Sequence, residues 1–178
     1  NIVGLAIGMA ACILIMVFVF YEKNFDSIHS KNIYRLDEVQ KFEGMVAPQN
    51  VALSMFPMAP TLKQEFPEVR NVTRVRQTEK ANMRAGEIRI VLPTLYIVDS
   101  TFLQIFDFEL LKGNRETALH NPNSLLLTEE SAVKLFGQDD PMGKTVIRYG
   151  GDTTTFTITG ILKNVPENSH MQFDGLYS

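Results

Sequence analysis

The chain has 178 residues, with 17 Lys and Arg set against 20 Asp and Glu for a net charge of −3. With a pI near 5.6 and no basic stripe, it offers nothing to hold a nucleic-acid backbone. Its single cysteine, Cys12, lies in the apolar start, so the rest of the chain has neither a disulfide framework nor thiol chemistry.

The 20 residues from Ile2 to Tyr21 carry no charge. At 1.5 Å rise per residue, a helix of that length spans roughly 30 Å, the thickness of a bilayer's hydrocarbon core. Lipid offers the backbone no water to bond with, so a continuous helix is the form in which such a segment crosses it. A cleaved signal peptide has a shorter apolar run and small residues at its end, whereas this run grows bulkier through Val17-Phe18-Val19-Phe20-Tyr21. Met9-Ala10-Ala11-Cys12 is a poor lipobox, because the most apolar residues follow the cysteine. The segment is therefore read as a transmembrane helix, and a chain that opens on Asn1 rather than Met is expected to be part of something longer.

Gly4, Gly8 and Cys12 recur every fourth residue, which places small side chains along one face where another helix could approach closely. Phe18, Phe20, Tyr21 and Phe25 crowd one end beside Glu22 and Lys23, as expected of anchors in the headgroup layer. Charge does not orient the helix: residues 22–41 hold as many acids as bases.

Beyond Tyr21 the helix is expected to continue as a stalk toward Ile28, followed by a strand over 33–39. Residues 42–60 look irregular, with Gly44, Pro48, Pro57 and Pro60. Pro60 suits the first turn of a helix carrying Ala59, Leu62, Phe66 and Val69 on one face, stopped by Pro67. A strand over 69–75 follows, then a turn at Ala85-Gly86 and a half-buried strand in which Ile88, Ile90 and Leu92 alternate with polar neighbours.

Asp99-Ser100 caps a short helix bearing Phe102, Ile105 and Phe106. Strands are expected at 108–111 and 124–127. Between Thr128 as N-cap and Gly137 as stop, a second helix starts on Glu129 and Glu130. The strands 145–149 and 153–162 flank Gly150-Gly151-Asp152 as a hairpin, with Phe156, Ile158 and Leu162 on one side of the second. Strands and helices without strict alternation give an α+β class.

No motif carries catalysis. Gly143-Lys144-Thr145 resembles the end of a phosphate-binding loop, but the first glycine of such a loop is missing at Gln138, two aspartates precede it, and a strand follows where a helix is needed. His29, His120 and His170 stand in separate segments with no metal-ligand spacing, and read as surface or capping histidines. The adjacent Ser169-His170 makes no nucleophile without an orienting acid. No catalytic, cofactor-binding or metal-ligating residue is assigned, and the chain is read as a non-enzyme.

An ordered set of short motifs runs through the whole chain. It begins with Asn1-Ile2-Val3-Gly4-Leu5-Ala6-Ile7-Gly8-Met9-Ala10, then Tyr21-Glu22 to Asp26, Ile33-Tyr34-Arg35 and Phe66-Pro67-Glu68-Val69. It continues with Asp99-Ser100-Thr101-Phe102, Leu127-Thr128-Glu129, Leu135-Phe136-Gly137, Pro141-Met142-Gly143-Lys144, and Val165-Pro166-Glu167-Asn168-Ser169-His170. In this order they resemble the MacB/FtsX-type ABC transporter permeases, particularly those of Bacteroidetes.

The resemblance implies a transmembrane helix and stalk over 1–28, a porter-like lobe beginning over 29–84, and a mainly sabre-like lobe, incomplete, over 85–178. It implies a place in the bacterial inner membrane with the residues after about 22 in the periplasm. It also implies no cofactor in this chain, ATP being bound by a separate cytoplasmic ABC ATPase subunit. A second permease copy would complete a homo- or heterodimer, and a periplasmic adaptor and an outer-membrane duct are further partners it allows. The implied work is mechanotransmission, in which ATPase closure moves the membrane helices and the stalk carries that motion to the extracytoplasmic head. The rival is a single-pass receptor whose extracytoplasmic domain senses a ligand; a membrane-tethered hydrolase is weaker, for want of a catalytic constellation.

Overall fold

A run of apolar side chains offers the backbone no competing hydrogen bonds, and α1 extends unbroken over Ile2–Lys23. The structure is a computed structural model that describes every residue except Met45 and Glu79. After α1 come β1 (Glu38–Gln40), β2 (Gln49–Val51), α2 (Met58–Glu65), β3 (Val75–Thr78), β4 (Ala81–Ala85), β5 (Ile88–Leu92) and β6 (Leu95–Val98). The rest are α3 (Phe102–Ile105), β7 (Leu110–Gly113), β8 (Ser124–Thr128), α4 (Glu129–Phe136), β9 (Thr145–Tyr149), β10 (Thr154–Leu162) and β11 (Gly175–Tyr177).

Nine described strands form one sheet in the order β3-β6-β11-β8-β10-β9-β4-β5, with β7 lying against the end of β10. The pairs β8–β10 and β6–β11 are parallel and the others antiparallel, so the mixed architecture is α+β as expected. The central strand β8 is buried along its whole length, which is why it reads as a continuous apolar run rather than an alternation. Its Leu125 and Leu127 join Met83, Phe156, Ala132 and Leu135 in a core beneath α4. Leu126, between them, faces the other side and joins Phe102, Phe108, Leu162 and Leu176 in a second core beneath α3. The head is thus a sheet covered by one short helix on each face.

Helix α4 obeys its signals. The Thr128 side chain accepts from Ser131 N–H, Glu129 and Glu130 sit in the first turn, and Gly137 ends the helix at φ +60°. Pro60 lies in the first turn of α2, as read.

Five expectations change. The helix does not run on to Ile28 but stops at Lys23, because Asp26 takes a left-handed φ of +54° and residues 24–28 turn toward the head. The strand expected over 33–39 shrinks to β1, and that over 69–75 only becomes a ladder at β3, since neither stretch has a neighbour to pair with before those points. The stretch read as irregular over 42–60 contains β2; Met45 within it lies outside the described residues. In β10 the register shifts between Ile158 and Gly160, so Leu162 turns into the second core while Ile161 joins Phe156 and Ile158 in the first.

The lobe division expected after residue 84 falls inside β4, whose Met83 and Ala85 share a core with β8 and β10. At the crossing of β7 and β10, Gly113 adopts φ +103° and a Cβ there would sit 2.6 Å from the Thr159 carbonyl oxygen, so only glycine fits.

Candidate functional site

Helix α1 buries nothing. It is apolar all round, with a mean hydropathy of 2.9 over its most apolar window, and is long and apolar enough to cross a membrane. Gly4, Gly8 and Cys12 lie along it exposed, and a Cβ on either glycine would meet nothing within 4 Å. Phe18, Phe20 and Tyr21 are likewise exposed near its end. Phe25 is different: half-buried, it takes the Tyr21 ring edge-on at 5.4 Å and lies 4.6 Å from the ring of His170.

That contact opens a dense polar cluster, where residues 24–31 leave the helix and dock on the head. The Asp26 backbone N–H donates to the Asn168 carbonyl at 2.8 Å, and the Asn168 side chain donates back to the Asn24 carbonyl at 2.7 Å. Asp26 then gathers the 168–170 turn through its carboxylate. Oδ1 accepts from Ser169 Oγ and from the His170 N–H, both at 2.9 Å, and Oδ2 lies 2.6 Å from His170 Nδ1. A carboxylate only accepts, so His170 carries its proton on Nδ1.

Two residues after Asp26, Ile28 packs into the second core. His29 follows, its ring edge-on to Phe106 at 5.2 Å and Phe108 at 5.1 Å, and its Nδ1 accepts the Asp107 N–H at 3.1 Å. The lone pair is on Nδ1 here, the tautomer opposite to that of His170. Asp107 closes the dock: its Oδ2 accepts from both the N–H and the O–H of Ser30 at 2.8 Å, and its Oδ1 pairs with Lys31.

The loop that presents Asp107 is itself held from below. Arg115 donates to the Leu103 carbonyl at 2.6 Å, to that of Phe106 at 3.1 Å, and to that of Phe108, collecting three carbonyls with one guanidinium. Further along, Arg74 forks onto Asp99 at 2.7 Å and lies 3.9 Å over the Phe56 ring, tying the segment before α2 to the start of α3.

The electrostatics follow the geometry. The Lys31 ammonium and the Ser30 N–H hold the Asp107 carboxyl well below the usual carboxylate range. Burial alone would raise Asp26, but the hydrogen bonds from His170 and Ser169 together outweigh it and lower it. Burial pushes His29 below its ordinary value, against the pull of Asp26 and Asp107.

Two of the three histidines therefore meet at the dock, and His120 does not; it sits exposed at the end of the 114–120 turn. Asp26, His29, Asp107, Arg115 and the 168–170 turn carry no signal as a group, because they come from segments up to 144 residues apart. Gly143-Lys144-Thr145 leads into β9, and Lys144 pairs with Asp139 at 3.1 Å, so the string is a neutralised turn.

A model of the MacB-like periplasmic core domain matches residues 1–177. The chain belongs to that family. Among solved structures, the MacB-like domain superposes on a domain of a provisionally named permease protein from Porphyromonas gingivalis with a TM-score of 0.64, at 26% identity, covering 74% of this chain and 55% of that one. The periplasmic region of MacB from Actinobacillus actinomycetemcomitans gives a TM-score of 0.51 at 18% identity over 67% and 52% of the two chains, a likeness of fold alone. The MacB-like chain thus spans about half the length of these structures. No curated protein matches it.

Proposed function

We propose that this chain is the first membrane helix and part of the extracytoplasmic head of an ABC transporter permease subunit, and that it transmits motion rather than performing chemistry. One observation carries the reading. A wholly unburied apolar helix is joined to a MacB-like head through eight residues that are hydrogen-bonded to it at both ends, at Asn24 and Asp26 and again at Ser30 and Lys31. A slack linker would absorb a helix shift; a docked one passes it to the sheet.

In this reading the helix sits in the inner membrane and the residues after about 22 face the periplasm. A separate cytoplasmic ABC ATPase subunit binds ATP, and a second permease copy completes a dimer. A periplasmic adaptor and an outer-membrane duct take the head's motion onward. Gly4, Gly8 and Cys12 are the face that packs on a neighbouring membrane helix. Phe18, Phe20 and Tyr21 sit at headgroup depth, with Phe25 passing from that layer to the head.

The test uses the full-length protein with its ATPase subunit in lipid nanodiscs. Spin labels on the two heads of the dimer are expected to change separation when ATP closes the ATPase pair. Replacing Gly4 and Gly8 by Leu should suppress that change while the dimer still assembles. A head separation indifferent to nucleotide, with the ATPase bound and turning over, removes the lever reading and leaves the sensor as the better account.

A further inference from the structure

The same junction contains one group whose hydrogen bond is incompatible with its own protonation. His29 Nδ1 accepts the Asp107 backbone N–H at 3.1 Å, so a proton added to that nitrogen would point at another proton. A charged imidazole in a half-buried site needs a replacement acceptor. None is open. Asp107 Oδ2 already takes the N–H and O–H of Ser30, and Oδ1 takes Lys31. Asp26 Oδ1 takes Ser169 and His170, and Oδ2 takes the His170 ring.

From the loop packed against His29, Phe106 and Phe108 offer ring contacts, and Arg115 already occupies the carbonyls of Leu103, Phe106 and Phe108 while adding a positive charge beneath them. Lys31 is a second positive charge on His29's own segment. The charged groups around the ring are thus Asp26, Lys31, Asp107 and Arg115, with His170 behind Asp26, and both carboxylates already hold other donors of the dock.

We propose that His29 is the latch of the helix–head junction, and that its protonation in mildly acid surroundings releases residues 24–31 from the head. The inference rests on the lever reading only for its consequence, the uncoupling of helix from head; release itself is a property of this chain alone. The sign is set by linkage. In the released segment the imidazole titrates near its ordinary value of about 6.5, while docking favours the neutral form. The docked state is therefore fully favoured above about pH 6.5 and loses ground as pH falls below it, by up to about tenfold for each pH unit until the docked ring also protonates.

The experiment places the 178-residue chain in nanodiscs with Cys12 replaced by Ser and spin labels at Glu22→Cys, at the end of α1, and Glu116→Cys, an exposed position in the turn before β8. Between about pH 7.5 and about pH 5.5 the released, long-distance population of the otherwise unaltered chain should rise up to about tenfold. His29→Asn keeps an acceptor oxygen where Nδ1 stands and cannot titrate, so its distances should not respond to pH in this range. His29→Phe keeps the ring contacts without the acceptor; it should be more released than the parent at neutral pH and equally indifferent to acid. A flat response of the parent, or a rise in His29→Asn equal to the parent's, overturns the proposal. Because no ATPase or nucleotide is present, either result stands apart from the test of the lever.

Discussion

Replacing Asp26 by Ala tests whether the junction opens as one unit. The carboxylate accepts three hydrogen bonds, at 2.9, 2.9 and 2.6 Å, and its side chain is 36% exposed. Buried bonds to a charged group contribute about 1.5–3 kcal/mol each, and exposure of this degree reduces them to about 0.5–1. Three together stabilise the dock by about 2 kcal/mol, or about thirtyfold in the docked-to-released ratio. Alanine adds a further cost of about 1 kcal/mol because φ at this residue is +54°, a region Asp and Asn tolerate better.

Asp26→Asn therefore separates the two effects: it keeps the backbone tolerance and an acceptor oxygen but turns an amide toward His170, for a loss of about 1 kcal/mol. Hydrogen exchange followed by mass spectrometry on the nanodisc-bound chain reads the outcome. In Asp26→Ala the amides of Ser30 and Asp107, which do not touch Asp26, should lose protection about thirtyfold or more, while those of β8 are unchanged. If exchange accelerates at residues 26 and 168–170 but stays slow at Ser30 and Asp107, the two ends of the dock are independent and the single-unit argument fails.

Three further outcomes follow from the same geometry. Arg115→Ala strips donors from three carbonyls of the loop carrying Asp107, and should lower head stability by about 2–3 kcal/mol in urea unfolding, with Arg115→Lys recovering only part because an ammonium cannot bridge the same fork. Gly113→Ala should cost more than Gly143→Ala in the same assay: both residues have positive φ, but a Cβ at 113 lies 2.6 Å from a backbone oxygen and one at 143 meets open space, so a clash adds to a shared strain of about 1 kcal/mol. Asp26 and Asp107 have docked values below the ordinary 3.8, so their contribution is complete above that value and fades only as pH falls through the lowered ones. Docking of His29→Asn should accordingly hold from neutral down to about pH 4 and fail only below it, which separates the histidine step from the carboxylate step in one titration.

The parts of the fold legible in the sequence are those whose pattern is local. Helix α1 declares itself by length and the absence of charge, α4 by Thr128, two glutamates and Gly137, and β8 by an unbroken apolar run. Strands β4, β6 and β11 escape a local reading for a shared reason. Gly175-Leu176-Tyr177 has no periodicity to show in three residues, and becomes a strand because β6 and β8 hold it from both sides. Ala81-Asn82-Met83-Arg84-Ala85 alternates, but its alanines have little intrinsic preference for a strand; pairing with β5 and β9 decides the matter. The misplacement of Leu162 comes from a bulge, which resets a period-two pattern without altering composition.

The junction shows a different kind of illegibility. Its two halves are each visible, as Tyr21 to Asp26 after the helix and as Val165 to His170 near the end, but taken alone the first reads as a continuing stalk and the histidines as surface or capping residues. For His170 that reading is half right: its N–H and ring do close a turn, but around the side chain of a residue 144 positions earlier. For His29 it is wrong, since the ring neither caps nor faces water alone but receives a backbone N–H from the loop that Arg115 supports. No spacing rule links residues 26–31 to 107 and 168–170, because the spacing is set by the folding of the sheet between them. The pairing begins at the abrupt end of α1, where an apolar rod that buries none of itself gives way to a polar segment. That segment, rich in Asn, Asp, Ser and His directly after Lys23, meets complementary donors and acceptors on the head.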